Sequence, residues 1–255
     1  MILSLSNWPF FHYPLHESIK KVKDFNLENM EFNMRCVEGK ALESLDKVRG
    51  IVKTYGINCL SVHSIVIYAE SEKHVRDVIQ GVKLSLDYAS KLSSEILVIH
   101  SNISRSVEEM LRKRILVEVF SHLKDYAESL NVKLALENSA PYSKGYGRTV
   151  DEVEEILNII GEDKIFLTLD YAHSQAVGQT KNFLEKFSQK IVNVHLSMFK
   201  HSVIEEENML ELKKFLLQLK KLGYQGPLTI EVNPRYGDEG VRKTVYCVKQ
   251  LVEEI

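Results

Sequence analysis

Residues Lys133–Asn138, KLALEN, decide how this chain reads. Leu134, Ala135 and Leu136 make a short continuous apolar run, as a strand buried on both faces requires, and Glu137 is the carboxylate at which the run stops. The same grammar returns three times downstream: KIFLTLD ends at Asp170, KIVNVHL carries His195, and PLTIEVN carries Glu231. In a barrel of parallel strands the carboxyl ends share one rim, and that rim is the catalytic face. Four strand ends then bring four metal-type ligands to one place.

Outward from KLALEN, the pattern supplies the remaining strands. Earlier ones are expected at Ile2–Ser6, Leu27–Met34, Ile57–Val62 and Ile96–Ile99, and later ones at Ile165–Leu169, Ile191–Leu196 and Leu228–Val232. Helices are expected at Leu15–Asp24, Lys40–Tyr55, Ser71–Leu92, Val107–Leu130, Thr149–Ile160, Lys181–Phe187, Glu205–Leu222 and Asp238–Val252. Their apolar stripes have helical spacing, as in Leu42, Leu45, Val48, Ile51 and Val52, or Met110, Leu111, Val119, Leu123 and Ala127. Thr149 followed by Glu152 has the spacing of a capping box. Strands alternating with helices imply an α/β fold with a parallel sheet. An open doubly wound sheet would gather its ligands at one switch point. Here they close six strands, with His63 after the third and His100 after the fourth. The expected architecture is therefore a single (β/α)₈ TIM barrel, one domain over residues 1–255.

Composition narrows the function. Hydrophobic residues at 44% and charged residues at 27% are those of an ordinary globular protein. With 33 basic against 35 acidic residues, no overall positive field draws the chain to nucleic acid or to a membrane surface. The start, MILSLSNWPFFHYP, lacks the basic leading region of a signal peptide, and no window reaches the roughly 18 apolar residues of a membrane span. Cys36, Cys59 and Cys247 are odd in number and scattered, as expected of reduced thiols in a cytoplasmic protein.

Two Glu, one Asp and one His make a hard, mostly oxygen donor set suited to one divalent ion, Mn²⁺, Mg²⁺, Co²⁺ or Zn²⁺. The series Glu137, Asp170, His195, Glu231 resembles the metal ligands of the xylose isomerase-like TIM barrels, which include sugar and sugar-phosphate isomerases and epimerases and the endonuclease IV enzymes. The spacings of 33, 25 and 36 residues are each about one βα unit, and LDYAHSQAVG is similar to the family's D-x-x-H-x-x-A-x-G signature. The resemblance spans essentially the whole chain.

It implies a small carbohydrate substrate and proton transfer between Glu137 and Glu231, with His173 on a substrate oxygen. A cation polarises the carbonyl, one carboxylate removes the proton beside it, and a second group returns it. By the same resemblance Glu31 would sit near the substrate. Trp8, in the loop with Phe10, Phe11 and Tyr13, is either a sugar platform or an oligomer contact, and the residues favour neither. Arg235 is a candidate for a substrate phosphate or carboxylate, an exposed loop arginine being the alternative. Tyr142, Lys144, Tyr146 and Arg148 are a candidate lid. His63 and His100 are pocket residues on this reading, but they resemble the extra ligands of endonuclease IV, so a zinc-dependent hydrolase acting at abasic DNA is the alternative. Against it, HLSMFKHSVIEEEN has no Asp-x-His and no glycine, and Glu205, Glu206 and Glu207 are poor neighbours for phosphate. A third reading is a barrel that binds ligand without turnover.

Overall fold

The eight apolar runs pair in parallel, in sequence order, and close on themselves. The computed structural model describes residues 1–255, the side chain of Glu43 excepted. The strands are β1 (Ile2–Ser6), β2 (Asn29–Asn33), β3 (Asn58–His63), β4 (Ile96–Ile99), β5 (Lys133–Glu137), β6 (Ile165–Asp170), β7 (Ile191–Leu196) and β8 (Pro227–Ile230). The helices between them are α1 (Leu15–Asp24), α2 (Ala41–Tyr55), α3 (Val75–Lys91), α4 (Glu109–Ser129), α5 (Val150–Ile160), α6 (Tyr171–Ala176), α7 (Thr180–Phe187), α8 (Met209–Lys221) and α9 (Gly237–Glu254). Closure is made by β1 against β8, Ile2 facing Pro227 and Leu5 facing Ile230. The open-sheet alternative is thereby removed.

Helices pack their apolar stripes on the barrel, with Val78, Val82, Leu86 and Ala89 of α3 and Leu123 and Ala127 of α4 all buried. Leu42 and Met110, which the spacing assigns to such stripes, are instead 83% and 66% exposed. Each lies in the first turn of its helix, at the end where packing against the neighbours runs out. The starts expected at Ser71 and Glu205 are 3₁₀ turns, Glu72–His74 and Glu206–Asn208, that lead into α3 and α8.

A helix, α6, lies where the sequence reading left a loop. Asp170 closes β6 and caps α6 through the His173 amide at 2.7 Å, so one residue ends the strand and starts the helix. The capping box at Thr149 is half made. Thr149 accepts from the Glu152 amide, but the Glu152 carboxylate turns away to the amides of Gly147 and Arg148.

Those two bonds bear on the expected lid. The loop 138–149 is also joined to its neighbours by Tyr146 N–H to Ile103, Arg105 N–H to Lys144 and a bridge between Ser104 and Gly145. A Cβ on Gly145 would come within 2.8 Å of Ser139 Oγ, so glycine permits this approach. The segment is a fastened wall, with Tyr142 projecting from it at 47% exposure. No described helix is long and apolar enough to cross a membrane.

Candidate active site

Parallel register carries the ligands to one level. Glu137 ends β5, Asp170 ends β6 opposite His195 of β7, and Glu231 follows β8. All four are buried, and their ligand atoms lie within 4.8 Å of one another. Asn138, the last residue of KLALEN, stiffens the arrangement: its amide bonds both backbone groups of Asp170, at 2.8 and 3.1 Å.

Glu31 is not where the resemblance puts it. It is fully buried and reaches across the barrel lumen to His195 Nε2 at 3.0 Å, with Ser61 Oγ and Asn193 Nδ2 donating to the same oxygen. The lumen of a closed barrel brings β2 side chains against those of β7, and a register shift between Met30 and Glu31 falls just where this residue turns inward. His195 therefore donates from Nε2 and presents Nδ1 to Glu231 Oε2 at 3.3 Å and Glu137 Oε1 at 3.5 Å. A carboxylate behind a histidine that faces ligands is the arrangement that orients metal-binding imidazoles.

The donor set fits a cation. Glu137 Oε2, Asp170 Oδ2 and His195 Nδ1 are buried with no hydrogen-bond partner among the described residues. Four carboxylates, Glu31, Glu137, Asp170 and Glu231, crowd one imidazole, leaving buried negative charge that costs free energy unless neutralised. The titrations register the crowding. Burial pushes Asp170 up to about 7. Burial alone would raise Glu231, but His195, His201 and His63 hold it at about 2. Burial opposes a charge on His195, yet the surrounding carboxylates raise it well above its ordinary value.

Around this cluster lies a pocket of about 410 Å³, lined by Trp8, His63, His100, Glu137, His173, His201 and Glu231 among others. His63 and His100 approach Glu137 Oε2 at 3.3 and 3.5 Å. Glu137 outweighs burial to raise His63 to about 9, whereas burial pushes His100 down to about 4. His173 Nδ1 donates to the Asn138 carbonyl at 2.9 Å, and its Nε2 lies 3.1 Å from His201 Nε2. Since His173 then offers a lone pair at Nε2, His201 is the donor there and accepts from Ser197 Oγ at Nδ1, 3.3 Å away.

Trp8 lines the pocket edge-on to His201, while Phe10 is in the core and Tyr13 bonds Asp238. Arg235 is exposed, stacked on Tyr236 and outside the lining. The residues sequence reasoning missed are Asn33 at the end of β2, Met34, Arg35 and Glu38 after it, and Ser64, Ile65 and Val66 after β3. Nothing in their local pattern marks them, because they reach the site through loop conformation.

A description of the xylose isomerase-like TIM barrel family matches residues 19–251. The chain is 25% identical over 228 residues to an inosose isomerase of Halalkalibacterium halodurans, covering 83% of this chain and 80% of that protein. A D-tagatose 3-epimerase-like protein superposes with a TM-score of 0.77 at 21% identity, covering 100% and 99% of the two chains. An IolI protein with a bound zinc atom superposes with a TM-score of 0.74 at 20% identity, covering 100% and 97%. With a closed eight-stranded parallel barrel and a family match over nearly its whole length, the chain belongs to the xylose isomerase-like TIM barrel family.

Proposed function

We propose that this chain is an enzyme, a single-domain divalent-metal-dependent isomerase or epimerase of a small sugar, sugar phosphate or polyol ketone. The observation that carries the reading is the pair Glu137 and Glu231, two buried carboxylates that line one pocket and flank His195 Nδ1, one at the end of β5 and the other just after β8. Glu137, Asp170, His195 and Glu231 would hold the ion. When bound, it polarises the substrate carbonyl and so acidifies the adjacent C–H. Glu137, held ionised by the imidazoles that overcome its burial, takes the proton from one side. Glu231 returns a proton from the other side, inverting that carbon, or delivers it to the neighbouring carbon, moving the carbonyl. His173, its Nδ1 committed to Asn138 and its Nε2 to His201, would meet a substrate oxygen by exchanging the His201 bond for it, and Trp8 gives an apolar edge to the ring. The named sugar isomerase and epimerase relatives support this class of substrate. Free thiols at all three cysteines support a reducing compartment.

The test is deuterium exchange from D₂O into a panel of ketoses and aldoses with Mn²⁺ present. Wild type is expected to label the carbon beside the carbonyl, and Glu137→Gln and Glu231→Gln to slow labelling by roughly 10²-fold or more. No labelling of any sugar by metal-loaded wild type would sink the proposal.

One observation favours a second reading, a metal-dependent phosphodiester hydrolase. His63, His100 and Glu137 form another three-ligand group, and so do Asp170, His173 and His201. Against it, the pocket lining holds one arginine, no lysine and the carboxylate of Glu38, a poor match for a polyanion. Incision of an abasic-site duplex, lost in His63→Ala, would move the assignment there.

A further inference from the structure

The wall opposite His173 holds a hydrogen-bond donor with no partner. In a closed ring of eight strands β2 and β6 stand four places apart, so residues at their carboxyl ends face each other across the pocket. Glu31 points into the lumen toward His195, and Asn33, two residues on, shares that face of β2 one level nearer the mouth. Asn33 is 6% exposed and lines the pocket beside His63, its register partner on β3.

Its side chain is already aimed. Asn33 N–H donates to Asn7 Oδ1 at 2.7 Å, and Asn7 is itself held by its Nδ2 bond to Ser18 Oγ at 3.2 Å. Asn33 Oδ1 caps the 3₁₀ turn Met34–Val37 by accepting from Arg35 N–H at 3.0 Å. Only the oxygen of an amide accepts, so this cap settles which way the group faces and turns Nδ2 away from the turn. Among the described residues Nδ2 makes no hydrogen bond, and it is not one of the polar atoms sealed from solvent without a partner, so it opens on the pocket. Its polar neighbours on this wall are committed elsewhere, Ser64 Oγ to the Ile65 carbonyl and to Ser85, and His63 Nδ1 to the Ser64 carbonyl. A donor held this way loses little rotamer freedom when a ligand arrives.

We propose that Asn33 is a substrate-binding residue, donating through Nδ2 to a hydroxyl at the end of the sugar remote from His173. This rests on the isomerase reading above. His173 holds an oxygen at one wall and Asn33 an oxygen at the opposite wall, and the span between them sets which carbon is presented to Glu137 and Glu231. The site thereby favours a ketose long enough to reach both walls over one that reaches only the first. Asn33 takes no part in proton transfer.

Deuterium exchange by the Mn²⁺-loaded protein would compare dihydroxyacetone, erythrulose, xylulose and fructose, which lengthen the chain one carbon at a time. Wild type is expected to gain in kcat/KM at the length where a hydroxyl reaches Asn33. Asn33→Ser keeps a capping oxygen and removes the donor, and should shrink that gain about fivefold, the worth of one hydrogen bond, chiefly through KM. Asn33→Asp keeps the size and the cap but sets an acceptor where the donor stood, and should shrink the gain at least as much. Divalent-ion affinity of Asn33→Ser, read by competition with a chelator, is expected to match wild type; its loss would mean a structural role and overturn the proposal. No gain with length, a gain that Asn33→Ser leaves intact, or an equal loss on every ketose would overturn it too. Exchange that proceeds but is indifferent to Asn33 removes this inference alone, whereas no exchange into any ketose by wild type removes the sugar reading and this inference with it.

Discussion

His195 stands between two sets of carboxylates that require different things of it. Glu31 takes its Nε2–H, and this fixes Nδ1 as the atom turned to Glu137 and Glu231. Glu31→Gln keeps the volume and an accepting oxygen but removes the charge that orients the ring and makes it a stronger donor. The expected outcome is divalent-ion affinity weakened roughly tenfold or more, read by competition with a chelator. An unchanged affinity would mean that the orientation of His195 is set by something else. The role of Glu31 was illegible in sequence because its partner lies 164 residues away across the lumen. Glu137, Asp170 and Glu231 were legible because each stops an apolar run. Arg235 has the right residue type at a strand end but points to solvent, since a side chain beyond the first loop residue is aimed by the loop.

At the scale of elements, the segment after β7 shows how the site is held. Lys200 and His201 both have left-handed backbone, φ 58° and 53°, within a turn closed by mutual hydrogen bonds between Met198 and Ser202. Left-handed conformation costs an L-residue about 1–2 kcal/mol, which the contacts of His201 with His173 and Ser197 offset. Lys200 is exposed, and its side chain only overlies Phe199. Lys200→Gly is therefore expected to stabilise the protein by roughly 0.5–1 kcal/mol in urea denaturation, after the entropy cost of glycine. A destabilised variant would show that the turn is not strained. Strand and helix order was readable from periodicity, because a barrel strand is apolar throughout and an outer helix on one face. Helix α6 was not, because Asp170 both ends β6 and caps the helix, with no loop between to signal the change. The wall at 138–149, with Tyr142, Lys144, Tyr146 and Arg148, was read as a lid, but Glu152 and the loop after β4 tie it down.

At the scale of the whole molecule, closure gives the strand ends a common destination. Strand ends at β5 and β6, with the residue after β8, deliver buried carboxylates to one point beside His195 of β7, and no described lysine or arginine follows them into that lumen. Imidazolium charge on His195 and His63 relieves part of that imbalance, a divalent cation would relieve it further, and ion binding is the property on which the proposed proton transfer depends. Elemental analysis of gently purified protein, with Glu137→Gln alongside, measures it directly. One divalent ion per chain, lost in the variant, is the predicted result. Protein that holds no ion and takes up none from added Mn²⁺ or Zn²⁺ would contradict it, as would two or three zinc ions per chain, which would make His63 and His100 ligands.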